Sequence, residues 1–278
     1  MMCKVINDQE THLIDLSYEL NENTITWPGG SPFERLCSNY KETKKDFYAT
    51  GQFTVNEHSG THIDAPFHFN ENGMTVDKLP LTLLIADAYV INIVDKVFGN
   101  SDHNYLLSVD DIHLFEQHIG APIAPDSIVL IFTGWSQFYK DGVNKYLGFE
   151  GEYNPEDFKP KFPGISKEAA HIFVDRKVAG IGLDTPSVDN GLNSASPSNS
   201  FPTHRILNGN NVFAIENINS NIKHLPIKDF MVFALPLKVT GGTGCAARVF
   251  ATISSTAYAV TQEKPLGIPK KLTRRHMI

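Results

Sequence analysis

The chain has 278 residues, 41% hydrophobic and 20% charged, with 24 basic against 31 acidic side chains and a net charge of -7. That apolar content excludes a disordered chain. Three widely spaced cysteines, Cys3, Cys37 and Cys245, exclude a disulfide-stapled module, and the absence of a basic stripe argues against a nucleic-acid partner.

Residues 1–10 are polar and lack the apolar core of a signal peptide. The longest apolar stretch, 79–94, is interrupted by Pro80, Asp87 and Asn92 and is too short to span a bilayer. A cytoplasmic protein without a membrane partner is expected. Apolar runs at 88–94, 127–133, 178–183, 212–215, 231–235 and 249–253, rich in β-branched and aromatic residues, predict buried strands. Ser108 can cap a helix carrying Asp110 and Asp111 in its first turn and Ile112, Phe115 and Ile119 on one face, with Gly120 ending it. Ser166 likewise opens a helix over 167–177, with Ala169, Ile172 and Phe173 as its apolar stripe. Strands outnumber helices, so the expected fold is one mixed α/β domain over residues 1–278 with a strand-rich core. Two polar connections, 139–163 and 184–203, are long enough to be functional or mobile. The basic residues of 264–278 read as a solvated tail or a subunit contact.

The most informative segment is His58-Ser59-Gly60-Thr61-His62-Ile63-Asp64-Ala65-Pro66-Phe67-His68-Phe69. By composition an 11-residue window should hold about 0.4 histidines; this one holds His58, His62 and His68, plus Asp64. In an extended chain alternate residues share a face, so His58, Gly60, His62 and Asp64 would project together, with Gly60 leaving room for an ion. Pro66 predicts a bend before His68. Imidazole and carboxylate donors suit Zn(II), Mn(II) or Fe(II). Three donors within seven residues leave coordination positions open. Further ligands would come from elsewhere: His204 follows the second long connection, and Glu216 ends an apolar run, where its charge must face a pocket, a partner or solvent. His12, His103, His113, His118, His171, His224 and His276 are isolated and read as structural.

The dodecapeptide resembles the HxGTHxDxPxHF signature of the putative-cyclase family, whose members include bacterial kynurenine formamidase and isatin hydrolase. Asp15-Leu16-Ser17, Thr26-Trp27-Pro28-Gly29, Thr133-Gly134-Trp135, Phe162-Pro163-Gly164-Ile165, Gly180-Ile181-Gly182-Leu183-Asp184-Thr185 and Pro236-Leu237-Lys238-Val239 are similar to other family segments, in the family's order. The resemblance implies a swivelling β/β/α fold, usually as a homodimer or higher homo-oligomer. It implies that His58, His62 and Asp64 bind one divalent ion, that Asp64 bridges to a second, and that His204 and Glu216 complete the set. His68 would be the proton donor and acceptor, and Trp27 would face an aromatic substrate. Gly241-Gly242-Thr243-Gly244-Cys245-Ala246-Ala247-Arg248 is similar to the family's late glycine-rich segment but lacks a proline near Arg248.

With these donors, the resemblance implies a hydrolase in which one or two Zn or Mn ions activate water against a small aromatic amide such as N-formylkynurenine or isatin. Phe33, Phe67 and Phe69 could join Trp27 in an aromatic pocket. No Gly-x-Ser-x-Gly elbow supports a serine hydrolase. A metal-dependent dehydratase or cyclase and a non-catalytic binding protein are the alternatives.

Overall fold

A computed structural model describes residues 11–42, 47–99, 103–154, 157–195 and 200–267. Residues 1–10 with Cys3, and the basic end from 268 with His276, lie outside that set. The first strands are β1 (Thr11–Asp15), β2 (Glu34–Glu42), β3 (Phe47–Thr54), β4 (His62–Asp64), β5 (Ile85–Asn92) and β6 (Leu106–Leu107). They are followed by β7 (Ile128–Phe132), β8 (Gly164–Ile165), β9 (Gly180–Leu183), β10 (Phe213–Glu216), β11 (Phe230–Pro236) and β12 (Gly244–Ser254). Every apolar run singled out in the sequence lies on one of β5, β7, β9, β10, β11 and β12.

Strands β12, β11, β5, β7, β9, β10 and β4 are hydrogen-bonded in that order, and β4 pairs back onto β12. Seven strands therefore close a barrel, with β1 lying along the remaining edge of β12. The β5–β7–β9–β10 pairings are parallel and the others antiparallel. Side-chain alternation divides the apolar residues between two cores. Ile63, Val90, Leu130, Ile215, Val232 and Ala251 pack together on the inner face of the ring. Ile91, Val129, Ile131, Ile181 and Ala214 face outward, against Ile112, Phe115, Phe173 and Leu207 of the helices.

The helices are α1 (Leu81–Leu84), α2 (Val94–Gly99), α3 (Val109–Ile119), α4 (Val143–Leu147), α5 (Lys167–Asp175), α6 (Gly191–Ser194), α7 (Pro202–Gly209) and α8 (Ser255–Glu263). Ser108 and Asp111 form a capping box on α3, and Gly120 ends it at φ 76°. The Ser166 hydroxyl caps α5, which stops at Asp175, short of the expected 177; Ala170 rather than Ile172 joins Ala169 and Phe173 in the buried stripe. The mixed α/β, strand-rich fold is as expected from the sequence. The β2–β3 ribbon was not foreseen: its second strand is exposed at every residue, so no inside/outside alternation betrays it. Among the described residues no helix is long and apolar enough to cross a membrane.

Candidate metal centre

The dodecapeptide is extended over only part of its length. Residues 57–60 form a turn, His62–Asp64 alone form β4, and Pro66–His68 make a 3-10 turn. The expected bend at Pro66 is present. The expected strand from His58 is not, and this corrects the role given to Gly60. A Cβ there would meet Thr24 Cγ2 at 3.1 Å and Leu20 Cδ2 at 3.2 Å, not an imidazole. Glycine is required instead by the left-handed backbone, φ 57°. The turn aims the Gly60 carbonyl at His62, whose Nδ1 lies 2.9 Å away.

Strand β4 sends Ile63 into the inner core and His62 and Asp64 to the opposite face. Glu216, at the end of β10, is the register partner of His62, so it emerges on the same side. His204 comes from α7, and His58 from the preceding turn. All five residues converge. His62 Nε2 lies 3.2 Å from Asp64 Oδ1 and 3.5 Å from Glu216 Oε2. His204 Nε2 lies 3.2 Å from Asp64 Oδ2 and 3.1 Å from Glu216 Oε1. His58 Nδ1 lies 2.6 Å from Asp64 Oδ1. His62, Asp64, His204 and Glu216 are all buried; His58 is partly exposed.

The hydrogen bonds around this cluster test whether it suits a cation. A carbonyl can only accept, so His62 Nδ1 donates to Gly60 and Nε2 is left facing two carboxylates. That nitrogen is buried and makes no hydrogen bond. His204 Nδ1 lies 2.7 Å from Asp189 Oδ2, an acceptor, which again leaves Nε2 for Asp64 and Glu216. Imidazole lone pairs facing carboxylates repel unless a proton or a metal ion lies between them. The donor set of nitrogen and carboxylate oxygen fits a divalent transition-metal ion.

The titration behaviour of the metal-free cluster expresses the same demand for positive charge. Burial opposes charge on His62, but attraction to Asp64 and Glu216 and the bond to Gly60 outweigh it and push the imidazole up to about 9. Burial likewise opposes charge on His204, yet Asp189, Asp64 and Glu216 hold it well above the ordinary range. Burial would raise Asp64, but the surrounding imidazoles hold it well below the usual carboxylate range. Glu216 is pushed up by burial and by the nearby Asp64 charge.

His68 stands beside this cluster, its ring stacked on His58 at 4.0 Å between centroids. Burial, with repulsion from neighbouring imidazoles and against the pull of Asp64, pushes it down to about 3. A cavity of about 370 Å³ opens over the cluster, lined by His58, His62, His68, His204 and Glu216 and by Ile25, Trp27, Phe69, Leu147 and Phe201. Edge-to-face contacts fix Trp27 against Phe158 at 5.8 Å and Phe201 at 6.1 Å. Phe33 is not in this wall: it is buried and stacks on Phe53. Phe67 does not line the cavity either. Arg248 pairs with Asp15 in an exposed ion pair, so it contributes nothing here.

Sequence reasoning missed Asp189. Its carboxylate accepts the backbone N–H groups of Thr203 at 2.9 Å and His204 at 3.1 Å as well as the His204 ring. It thus satisfies first-turn amides of α7 and orients the histidine together. One residue before it, the Val188 N–H donates to Glu216 Oε1 at 2.9 Å. The described part of the 184–203 connection is therefore a support of the cluster. Its signal was an acidic residue in a polar loop upstream of a histidine, too common a pattern to single out.

The family model described as "Putative cyclase" matches residues 14–190. The chain is 30% identical over 213 residues to isatin hydrolase of Roseibium aggregatum, covering 74% of this chain and 76% of that protein. It is 28% identical over 237 residues to kynurenine formamidase of Geobacillus thermodenitrificans, covering 84% and 94%. Among solved structures, isatin hydrolase A from Ralstonia solanacearum superposes with a TM-score of 0.75 at 28% identity, over 88% of this chain and 92% of that one. An isatin hydrolase bound to the product analogue thioisatinate gives 0.76 at 25% identity, over 88% and 94%. The signature, the closed barrel and the family match agree: this chain belongs to the putative cyclase family.

Proposed function

We propose that this protein is a metal-dependent amidohydrolase acting on a small aromatic amide. The observation that carries this reading is that His62 and His204 each direct one ring nitrogen to an outside acceptor and the other to Asp64 and Glu216, at the floor of an aromatic-walled cavity. The relatives named isatin hydrolase and kynurenine formamidase support an amide as the substrate class, with isatin and N-formylkynurenine as the compounds to test.

In this reading His58, His62, Asp64, His204 and Glu216 are the ligands, and Zn or Mn is the ion. Asp64 presents Oδ1 toward His58 and His62 and Oδ2 toward His204, while Glu216 divides its oxygens between His62 and His204. With its oxygens so divided, the donor set could hold one or two ions. Bound metal supplies Lewis acidity, which makes water nucleophilic near neutral pH and polarises a carbonyl. The two carboxylates offset its charge, and the buried walls keep bulk water from screening that interaction.

His68 is assigned to proton transfer in this reading, and its imidazole also lies with His58 and Asp64 in a group of donors close enough together to hold an ion. Its ring lies beside the cluster and lines the cavity, and it makes no side-chain hydrogen bond among the described residues. In this reading it takes a proton from attacking water and returns it to the leaving nitrogen, general acid–base work of the kind imidazole performs. Trp27 and Phe69 would flank the aromatic ring of the substrate, and Trp27 is pre-set by its contacts with Phe158 and Phe201.

The protein is placed in this reading as a cytoplasmic homo-oligomer. Leu36, Phe47, Tyr48 and Phe53 of the β2–β3 ribbon are exposed, and a two-stranded ribbon has little stability by itself, which supports a second copy as its partner. Turnover of N-formylkynurenine, isatin and simple aryl amides by the purified protein, with Zn and Mn each supplied, tests the activity. Hydrolysis of at least one amide, abolished by a chelator, is expected; turnover of hydroxy acids but of no amide would replace this reading with a dehydratase.

A further inference from the structure

The glycine-rich segment near the C-terminal end of the chain has so far had no part in the site. Its central residue, Thr243, lies just before β12, where that strand pairs with β4. The Thr243 hydroxyl is 2.9 Å from His58 Nε2 and donates to Glu57 Oε2 at 2.5 Å. The Thr243 backbone N–H donates to the same Glu57 oxygen at 2.9 Å.

These contacts settle which way the protons run. A threonine hydroxyl has one proton and two lone pairs. Its proton goes to the Glu57 carboxylate, so toward His58 it can only accept. His58 Nε2 must therefore donate, and Nδ1 is the nitrogen left facing Asp64. This is the reverse of His62 and His204, which turn Nε2 to the cluster and donate through Nδ1. The flanking glycines permit the close approach. A Cβ on Gly244 would fall 2.7 Å from His58 Cε1 and 2.5 Å from the Ile63 carbonyl oxygen. A Cβ on Gly242 would fall 2.8 Å from Val76 Cγ1 and 3.3 Å from Glu57 Oε1.

We infer that Glu57 and Thr243 are positioning residues: through a Glu57–Thr243–His58 chain they fix His58 as the Nε2–H tautomer and aim Nδ1 into the cluster. The inference rests on the ligand assignment proposed above. It also gives a physical reason for the Gly242-Thr243-Gly244 sequence: a hydroxyl at the centre, with no side chain on either neighbour.

Titration of the metal-free protein with Zn²⁺ against a chromogenic chelator tests this. Thr243→Val keeps the size and branching of the side chain but cannot accept from Nε2, and Zn²⁺ affinity should fall about 10–100-fold. Thr243→Ser keeps the hydroxyl but loses the methyl, and should restore affinity to within about threefold of wild type. Glu57→Gln, which can turn an N–H toward the hydroxyl, should also weaken binding. In ¹⁵N-histidine spectra of the metal-free protein the protonated Nε2 signal of His58 should be disturbed in Thr243→Val and retained in Thr243→Ser. A packing role would give the opposite order, with valine tolerated and serine weak, and would overturn the inference. So would unchanged affinity in Thr243→Val. Failure of the wild type itself to bind Zn²⁺ would instead remove the ligand assignment on which it stands.

Discussion

The carboxylate of Asp189 holds the ring of His204 at 2.7 Å while accepting that residue's own backbone N–H at 3.1 Å. Helix start and imidazole orientation are thus fixed by one side chain. Asp189→Asn should weaken metal binding about 10–100-fold, because an amide holds the Nδ1 proton less firmly than a carboxylate does. A Zn²⁺ titration equal to wild type would show that α7 orients His204 by packing alone.

Asp64 and His68 should separate cleanly. Asp64→Asn replaces a charged ligand by a neutral one and should lose most of the bound metal. His68→Ala should keep its metal and lose about 10²–10⁴-fold in kcat. Elemental analysis beside steady-state rates decides it, and equal metal loss in both variants would make His68 a ligand.

Trp27 should matter for substrate and not for metal. Removing its ring from the cavity wall costs on the order of 1–1.5 kcal/mol of aromatic contact, so Trp27→Ala should raise KM for an aryl amide about tenfold. Metal content should not change. A fall in kcat with KM unchanged would place Trp27 in the chemistry instead.

Metal-free protein should be destabilised by alkali. The His62 imidazole is raised in the folded state to about 9, above its unfolded value of about 6.5. Its stabilising contribution is therefore complete below about 6.5 and is lost as pH rises through about 9. The raised His204 acts in the same direction. Denaturant melts of the chelated protein should show stability declining between pH 6.5 and 9.5, with a shallower decline in His62→Gln. Equal slopes in the two proteins would count against the proton-filled cluster.

Much of this architecture was legible in the sequence because burial leaves a pattern. The runs that became β7, β9 and β10 are apolar throughout because both faces of the ring are covered there, β5, β11 and β12 show a buried inner face, and Ser108 and Ser166 announced α3 and α5 through their caps. The β2–β3 ribbon was silent because it buries neither face within the described residues. Within the site, density and spacing exposed His58, His62 and Asp64. His204 and Glu216 were only candidates until the family resemblance was added, since Glu216 reaches the site through β10 pairing with β4 and His204 comes from α7. Asp189 offered only a common pattern, Thr243 lay in a glycine-rich segment noticed by resemblance and not for its hydroxyl, and Glu57 carried no local signal. Asp189 and Thr243 act through hydrogen bonds to His204 and His58, and Glu57 acts only through Thr243; such pairings are properties of topology. Gly60 was noticed for the wrong reason: it serves a left-handed turn that directs a carbonyl, not a gap between imidazoles.

The most direct test of the central claim is the metal content of the purified protein after incubation with Zn²⁺ or Mn²⁺ and removal of the excess, measured alongside Glu216→Gln. The arrangement of Asp64 and Glu216 predicts about one or two ions per chain in the wild type, from two carboxylates each facing two sets of imidazoles, and a clear loss in the variant. Well under one ion per chain in the wild type, with amide hydrolysis unaffected by chelation, would contradict the account.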